Sequence, residues 1–203
     1  MAQRRSAVAV AALGFGVALV GDACHVASGT TTYEWHGLPE IWRSRAWFPL
    51  AVAAGVLLAA WMGRRADLPA RERDVRDAVI GVAAVLALYA LTAALRGQPA
   101  TVSVVLCGAL AAGVWAWWDA SSSAFVIAVG AAIAGPLVEI ALVSLDAASY
   151  APDSDDLAGV APWLPCLYFA AGAVASGLWM PIERGLRDLD PRAETRDSAD
   201  PPG

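Results

Sequence analysis

Between Arg96 and Asp119 the chain reads GQPATVSVVLCGALAAGVWAWW, a run of 22 residues without a charged side chain. An α-helix needs about 20 apolar residues to cross the hydrocarbon core of a bilayer, within a range of roughly 17–25. Helices of soluble domains carry polar residues at regular intervals instead, on the face that meets water. This run therefore predicts a membrane-spanning helix over about residues 100–118.

Similar uncharged runs lie on both sides of it. They separate residues 45 and 64, 77 and 96, 119 and 139, and 156 and 183. A shorter run, residues 6–21, follows Arg4 and Arg5, and is either a removable signal peptide or a retained helix that extends to Val26. We expect a retained helix. The predicted fold is an all-α integral membrane protein with a six-helix transmembrane domain over residues 1–182 and a disordered cytoplasmic tail over residues 183–203. The spans are predicted at about 6–26, 46–62, 78–95, 100–118, 122–145 and 158–182.

Arginine predicts the orientation, since the chain contains no lysine. With six spans and a cytoplasmic N-terminus, eleven arginines fall in the segments at the inner side and three in those at the outer side. An excess of basic residues marks the cytoplasmic side of a membrane protein. We therefore expect both termini in the cytoplasm, and a bacterial inner membrane as the location.

The sequence lacks the features of several functional classes. The net charge is −5, and no basic stripe suits a nucleic acid. His25, Glu34 and His36 match no metal-ligand spacing, and the three cysteines form no CxxC pair. No nucleophile motif is present either, so we expect a protein that is not an enzyme and has no cofactor other than a bound lipid.

Glu139 is a carboxylate well inside a hydrophobic run, one turn after Gly135-Pro136. A charge at the centre of a bilayer costs about 2.5–3.5 kcal/mol on insertion scales, and proline removes a backbone hydrogen bond and bends helices. Glu139, Gly135 and Pro136 are therefore predicted to border an internal ligand pocket. The alternative is that Glu139 lies near the outer interface and extends to water.

The 100–118 span carries a stripe at helical spacing with small residues in its middle, which leaves space for a ligand or for a neighbouring helix. The stripe consists of Thr101, Val104, Gly108, Ala111 and Trp115. Asp119 ends this span before Ala-Ser-Ser-Ser. It is either the N-cap of the next helix or a carboxylate that contacts another protein.

Two segments resemble the Insig family of sterol-response membrane proteins. One is LAAGVWAWWDASSSAF, residues 110–125, with paired tryptophans followed by an aspartate, a polar turn and a phenylalanine. The other is WLPCLYF, residues 163–169, at the start of the family's last span. A third, shorter match is RAWFP, residues 45–49, and the order of all three agrees.

The resemblance implies a six-helix bundle that binds an oxysterol-like lipid and holds polytopic partner proteins without catalysis. It implies that Asp119, with Trp118 beside it, contacts the partner. The amide-bearing ligand position of the family falls near Thr101 to Ser103, which carry hydroxyl groups in this chain instead.

The arginine-only, alanine-rich composition suggests a bacterium, and most bacteria lack sterols. The predicted function is therefore intramembrane lipid binding or sensing, with a diacylglycerol-like or sterol-like lipid at Thr101, Ser103, Gly108, Trp115, Gly135, Pro136 and Glu139. The alternatives are a scaffold or retention partner for other polytopic membrane proteins and, with least support, a lipid-modifying enzyme. A homo-oligomer is compatible with each of these functions.

Overall fold

The computed structural model describes residues 2–34, 39–66 and 73–189. His36, Arg71 and the predicted tail beyond residue 189 lie outside these ranges. The described residues form α1 Ala2–Ser28, β1 Thr31–Tyr33, β2 Glu40–Ile41, β3 Ser44–Arg45, α2 Trp47–Arg65, α3 Val75–Ala94, α4 Ala100–Trp118, α5 Ser122–Ser144, β4 Ala148–Tyr150, α6 Leu164–Ser176 and α7 Trp179–Leu189.

Helices α1 to α5 are each long and apolar enough to cross a membrane. Helix α6 has 13 residues, and at a rise of about 1.5 Å per residue it is too short to cross alone. Helices α6 and α7 meet at a bend of 45° and form the sixth candidate span if they are counted together. The prediction of an all-α membrane bundle is confirmed.

The last span differs from its prediction at both ends. Residues 158–163 lie before the helix, which begins at Leu164 with a proline in its first turn, where the missing N–H costs no helical hydrogen bond. Residues 183–189 were predicted to belong to the tail and instead form most of α7. These residues mix charged and apolar side chains at the spacing of an amphipathic helix. A search for uncharged runs therefore does not detect this part of α7.

Helix α6 lies at the centre of the bundle and packs against α2, α3, α4 and α5. Small residues allow this packing. A Cβ atom added at Gly63 of α2 would lie 1.9 Å from the backbone oxygen of Ser176, and one at Gly172 would lie 2.6 Å from Cβ of Ala131. Close backbone contact through small residues is the usual way in which helices associate in lipid, where water does not drive them together.

The two ends of the bundle differ. At one end, here called the strand end, β1 pairs with β4 and β2 pairs with β3, both antiparallel. The first pairing places Thr31 opposite Tyr150 and so joins the loop after α1 to the loop after α5. The other end, here called the arginine end, carries the α4–α5 turn, helix α7 and Arg73.

Candidate functional site

Helices α4 and α5 are joined by a short turn, yet they barely touch each other, and both pack against α6. The two helices therefore leave a groove, with part of α6 as its floor. On that part of α6, Cys166 and Phe169 are only partly buried, although most of the helix is buried. We call this space the α4–α5 groove.

Aromatic rings close the groove near the turn. The ring centroids of Trp115 and Phe125 are 5.3 Å apart, and those of Phe125 and Phe169 are 5.6 Å apart. Farther from the turn Gly108 faces α6, and a Cβ atom added there would lie 3.6 Å from the Cys166 sulfur with no other contact within 4 Å. The groove is therefore closed by rings at the arginine end and has unfilled space beside Gly108.

Several residues predicted from the sequence lie at this groove, and others do not. Gly108 and Trp115 border it through the contacts just given. Ser103 is buried on α4, whereas the side chain of Thr101 is exposed. Helix α5 continues through the buried Pro136 without a break. The assignment of these residues as lipid contacts stays a prediction.

A cavity also lies at the strand end, here called the polar cavity. It is lined by residues of α1, α2, α3, α5, α6, β1 and β4, namely Asp22, His25, Thr31, Tyr33, Trp47, Phe48, Tyr89, Glu139, Leu142, Ala148, Tyr150, Leu164 and Leu167. Glu139 is thus the one predicted ligand residue that lines it, and its side chain is buried inside the bundle and does not extend to water.

Two tyrosines bind the Glu139 carboxyl group. The hydroxyl of Tyr168 on α6 donates to Oε1 at 2.6 Å, and that of Tyr150 on β4 donates to Oε2. Burial and the nearby Glu139 carboxyl group raise the pKa of Tyr150 well above its usual value, so its hydroxyl keeps the proton that it donates. Gly135 makes the arrangement possible, because a Cβ atom there would lie 2.3 Å from the Tyr168 ring.

Asp22 of α1 also lines the polar cavity and is almost fully buried, with 2% of its surface exposed. The hydroxyls of Tyr33 and Ser44 are close to its carboxyl group, but its Oδ2 atom has no hydrogen-bond partner in the described structure. The sequence analysis did not select Asp22. Its position inside the first hydrophobic stretch, once that stretch is extended to Val26, is the signal that could have identified it.

At the arginine end Asp119 forms a buried ion pair. Its Oδ2 atom lies 3.1 Å from Nη2 of Arg73, with 3% and 4% of the two side chains exposed. The Arg73 guanidinium donates from Nε to the Trp118 carbonyl oxygen at 2.9 Å and lies 4.5 Å from the centre of the Trp118 ring. Arg184 of α7 donates in turn to the Arg73 carbonyl oxygen at 3.3 Å. This cluster joins the start of α3, the α4–α5 turn and α7.

The interpretation of Asp119 as the N-cap of α5 is wrong. The N-cap is Ser121, whose side chain accepts a hydrogen bond from the Ala124 amide at 3.2 Å. Sequence alone could not separate the two residues, since both carry capping oxygens within the same short turn. It also could not show that Arg73, 46 positions earlier, supplies the counter-charge.

No family model matches the chain. The sequence is 42% identical over 173 residues to an INSIG protein homolog from Mycolicibacterium vanbaalenii, a match that covers 84% of this chain and 83% of that protein. This chain belongs to the Insig family. Its fold is similar to the crystal structure of MvINS, a mycobacterial Insig homolog from Mycobacterium vanbaalenii, with a TM-score of 0.84 and 39% identity over 88% of this chain and 95% of that one. A crystal structure of a cross-linked MvINS trimer matches equally well.

For this Insig-family chain, the ion pair predicts that the charge of Asp119 maintains the fold. Removing one partner of a buried pair costs about 3–5 kcal/mol, because the other charge is left buried alone. We expect Asp119→Asn to lower the unfolding temperature in detergent nearly as much as Asp119→Ala. The double variant Arg73→Met/Asp119→Ala should lose less stability than the sum of its single changes.

The matched control is Asp153→Ala, which breaks a pair with Arg96 that is exposed on both sides and should cost about 0–1 kcal/mol. Wild-type stability in Asp119→Asn would show that a side-chain oxygen alone is needed at this position, and would contradict the role of the ion pair.

Proposed function

We propose that this Insig-family protein binds a membrane lipid in the α4–α5 groove and does not catalyse a reaction. The proposal rests on one observation: the consecutive spans α4 and α5 both pack against α6 but have little contact with each other. Helices in a bilayer gain by close packing, so a groove between adjacent spans is filled by lipid or by another helix. Gly108 leaves space at the depth where an acyl chain or a sterol ring would lie.

The charge distribution supports a lipid with an uncharged head. Residues 97–118 and 157–182 contain no charged side chain, and Glu139 is the one charged residue between Ala120 and Leu145. A phosphate group binds where arginine, lysine or helix N-termini offset its charge. With no basic side chain along these helices, a diacylglycerol-like or sterol-like molecule fits better than an anionic phospholipid.

The trimer of the mycobacterial homologue supports a second proposal, that this chain also forms a homo-oligomer in the membrane. Contact between a polytopic partner and Asp119 or Trp118 has less support. Both side chains are buried in the cluster around Arg73, so a partner could reach them only after that cluster opens.

Filling the groove tests lipid binding. We expect Gly108→Trp to remove more than half of the lipid that copurifies with the protein, because the indole would occupy the space beside Cys166. Native mass spectrometry measures the bound lipid, and the same spectra give the number of copies in the complex. The matched control is Gly113→Trp on the same helix, where an added Cβ atom has no neighbour within 4 Å.

Gly113→Trp should keep the wild-type lipid content. Equal lipid in both variants, with both folded, would remove the groove as the binding site. Spectra with one copy only would count against the oligomer. Gly135 is unsuitable for this test, because any side chain there displaces Tyr168 from its place over α5.

We also propose that the arginine end faces the cytoplasm, on the basis of the arginine distribution. The test introduces single cysteines at two exposed positions, Asp156 near the strand end and Asp188 on α7, with the three native cysteines replaced by alanine. A membrane-impermeant maleimide added to intact bacteria should label Asp156→Cys and leave Asp188→Cys unlabelled until the cells are opened. The reverse pattern would invert the orientation.

A further inference from the structure

The polar cavity at the strand end holds two carboxyl groups and little in its lining that could offset a negative charge. Asp22 and Glu139 both line it, and no arginine does so among the described residues. The one ionisable nitrogen group in the lining is His25. The Thr92 hydroxyl donates to the carbonyl oxygens of Leu88 and Tyr89, so its oxygen is free to accept the Nε2 proton of His25 at 2.9 Å. The Nε2 atom of His25 is therefore already hydrogen-bonded to Thr92.

The two carboxyl groups are not equivalent. Each oxygen of Glu139 accepts a hydrogen bond from a tyrosine. Asp22, in contrast, has an oxygen without a partner in the described structure, and the Thr31 hydroxyl in the same lining also has none. Buried polar groups are nearly always paired with protein, water or a ligand, so each of these two oxygens is open to a donor from a molecule in the polar cavity.

Aromatic side chains form much of the remaining wall. Tyr33, Trp47, Phe48, Tyr89 and Tyr150 all line the polar cavity, and the rings of Tyr33 and Trp47 pack edge to face with centroids 5.7 Å apart. Aromatic faces attract cations, most strongly where water is excluded. A wall of aromatic rings with a buried carboxylate is the chemistry that recognises an organic cation.

Size decides which organic cation fits. The space within the polar cavity holds about one or two water-sized groups. A primary ammonium group is close to water in size and offers three N–H donors. A trimethylammonium group is several times larger and would have to displace the surrounding rings.

We propose that the polar cavity binds a primary ammonium group, which donates to Asp22 and Thr31 and lies against the ring of Tyr33. This site lies at the strand end, apart from the α4–α5 groove, and its proposal does not depend on the lipid in that groove. The ammonium group can belong to a small soluble amine or to the ethanolamine head of a phospholipid.

The test measures the unfolding temperature of the protein in a maltoside detergent, with equal concentrations of ethylammonium chloride, tetramethylammonium chloride or sodium chloride. Ethylammonium should raise the unfolding temperature in a saturable way, because a ligand that binds the folded state stabilises it in proportion to its occupancy. The other two salts should have a smaller, common effect of ionic strength.

Variants test whether ethylammonium binds in the polar cavity. Asp22→Asn should abolish the stabilisation by ethylammonium, and Thr31→Val should weaken it without a change of charge. The control Asp156→Asn removes an exposed carboxylate near the same end and should leave the effect unchanged. If Asp22→Asn does not fold, the test rests on Thr31→Val. A rise in unfolding temperature with ethylammonium as large as in the wild type would then overturn the proposal.

Nanodiscs distinguish the two sources of the ammonium group. If a lipid head occupies the site, ethylammonium should stabilise the protein in phosphatidylcholine discs but add nothing in phosphatidylethanolamine discs. Equal stabilisation in both would identify a soluble amine. No specific effect of ethylammonium, or an equal effect of sodium or tetramethylammonium, would overturn the proposal and leave Asp22 to be neutralised by a proton or a metal ion.

Discussion

Helix α6 holds the bundle together because small residues let other helices approach its backbone. Gly63 allows α2 to come against Ser176, and Gly172 allows α5 to come against α6 through Ala131. A helix that short could not span the membrane alone, but at the centre it is covered by longer helices on most sides. Cys166 and Phe169 of α6 remain only partly buried between α4 and α5, where these two helices leave the groove.

The two candidate sites have a structural link through Tyr168. Its ring lies over Gly135 of α5, one of the two helices of the groove, and its hydroxyl binds Glu139, which lines the polar cavity. A molecule that pushed α5 away from α6 would disturb the hydrogen bond between Tyr168 and Glu139.

The membrane character, the helices and the family could be predicted from the sequence because each depends on local features. Uncharged runs of sufficient length mark α2 to α5, and the motifs around Trp118 and Cys166 are short and contiguous. The continuation of α7 to Leu189 was missed because residues 183–189 mix charged and apolar side chains. The sites were harder to predict, since Asp22 and Glu139 are 117 positions apart and Arg73 lies 46 positions from Asp119. Asp22 and Glu139 meet only because α1 and α5 line the same cavity, and Arg73 meets Asp119 only because the start of α3 packs against the α4–α5 turn.

The central claim, that lipid occupies the α4–α5 groove, is tested most directly by a diacylglycerol analogue with a photoreactive group on its acyl chain. The purified protein would be illuminated in nanodiscs, with and without an excess of unlabelled diacylglycerol, and the adducts mapped by peptide mass spectrometry. The account predicts adducts on α4 near Gly108 and on α6 near Phe169 that the excess lipid removes, while adducts on outward residues such as Val105 and Val126 persist. Adducts confined to outward residues, or groove adducts that the excess lipid leaves unchanged, would contradict it.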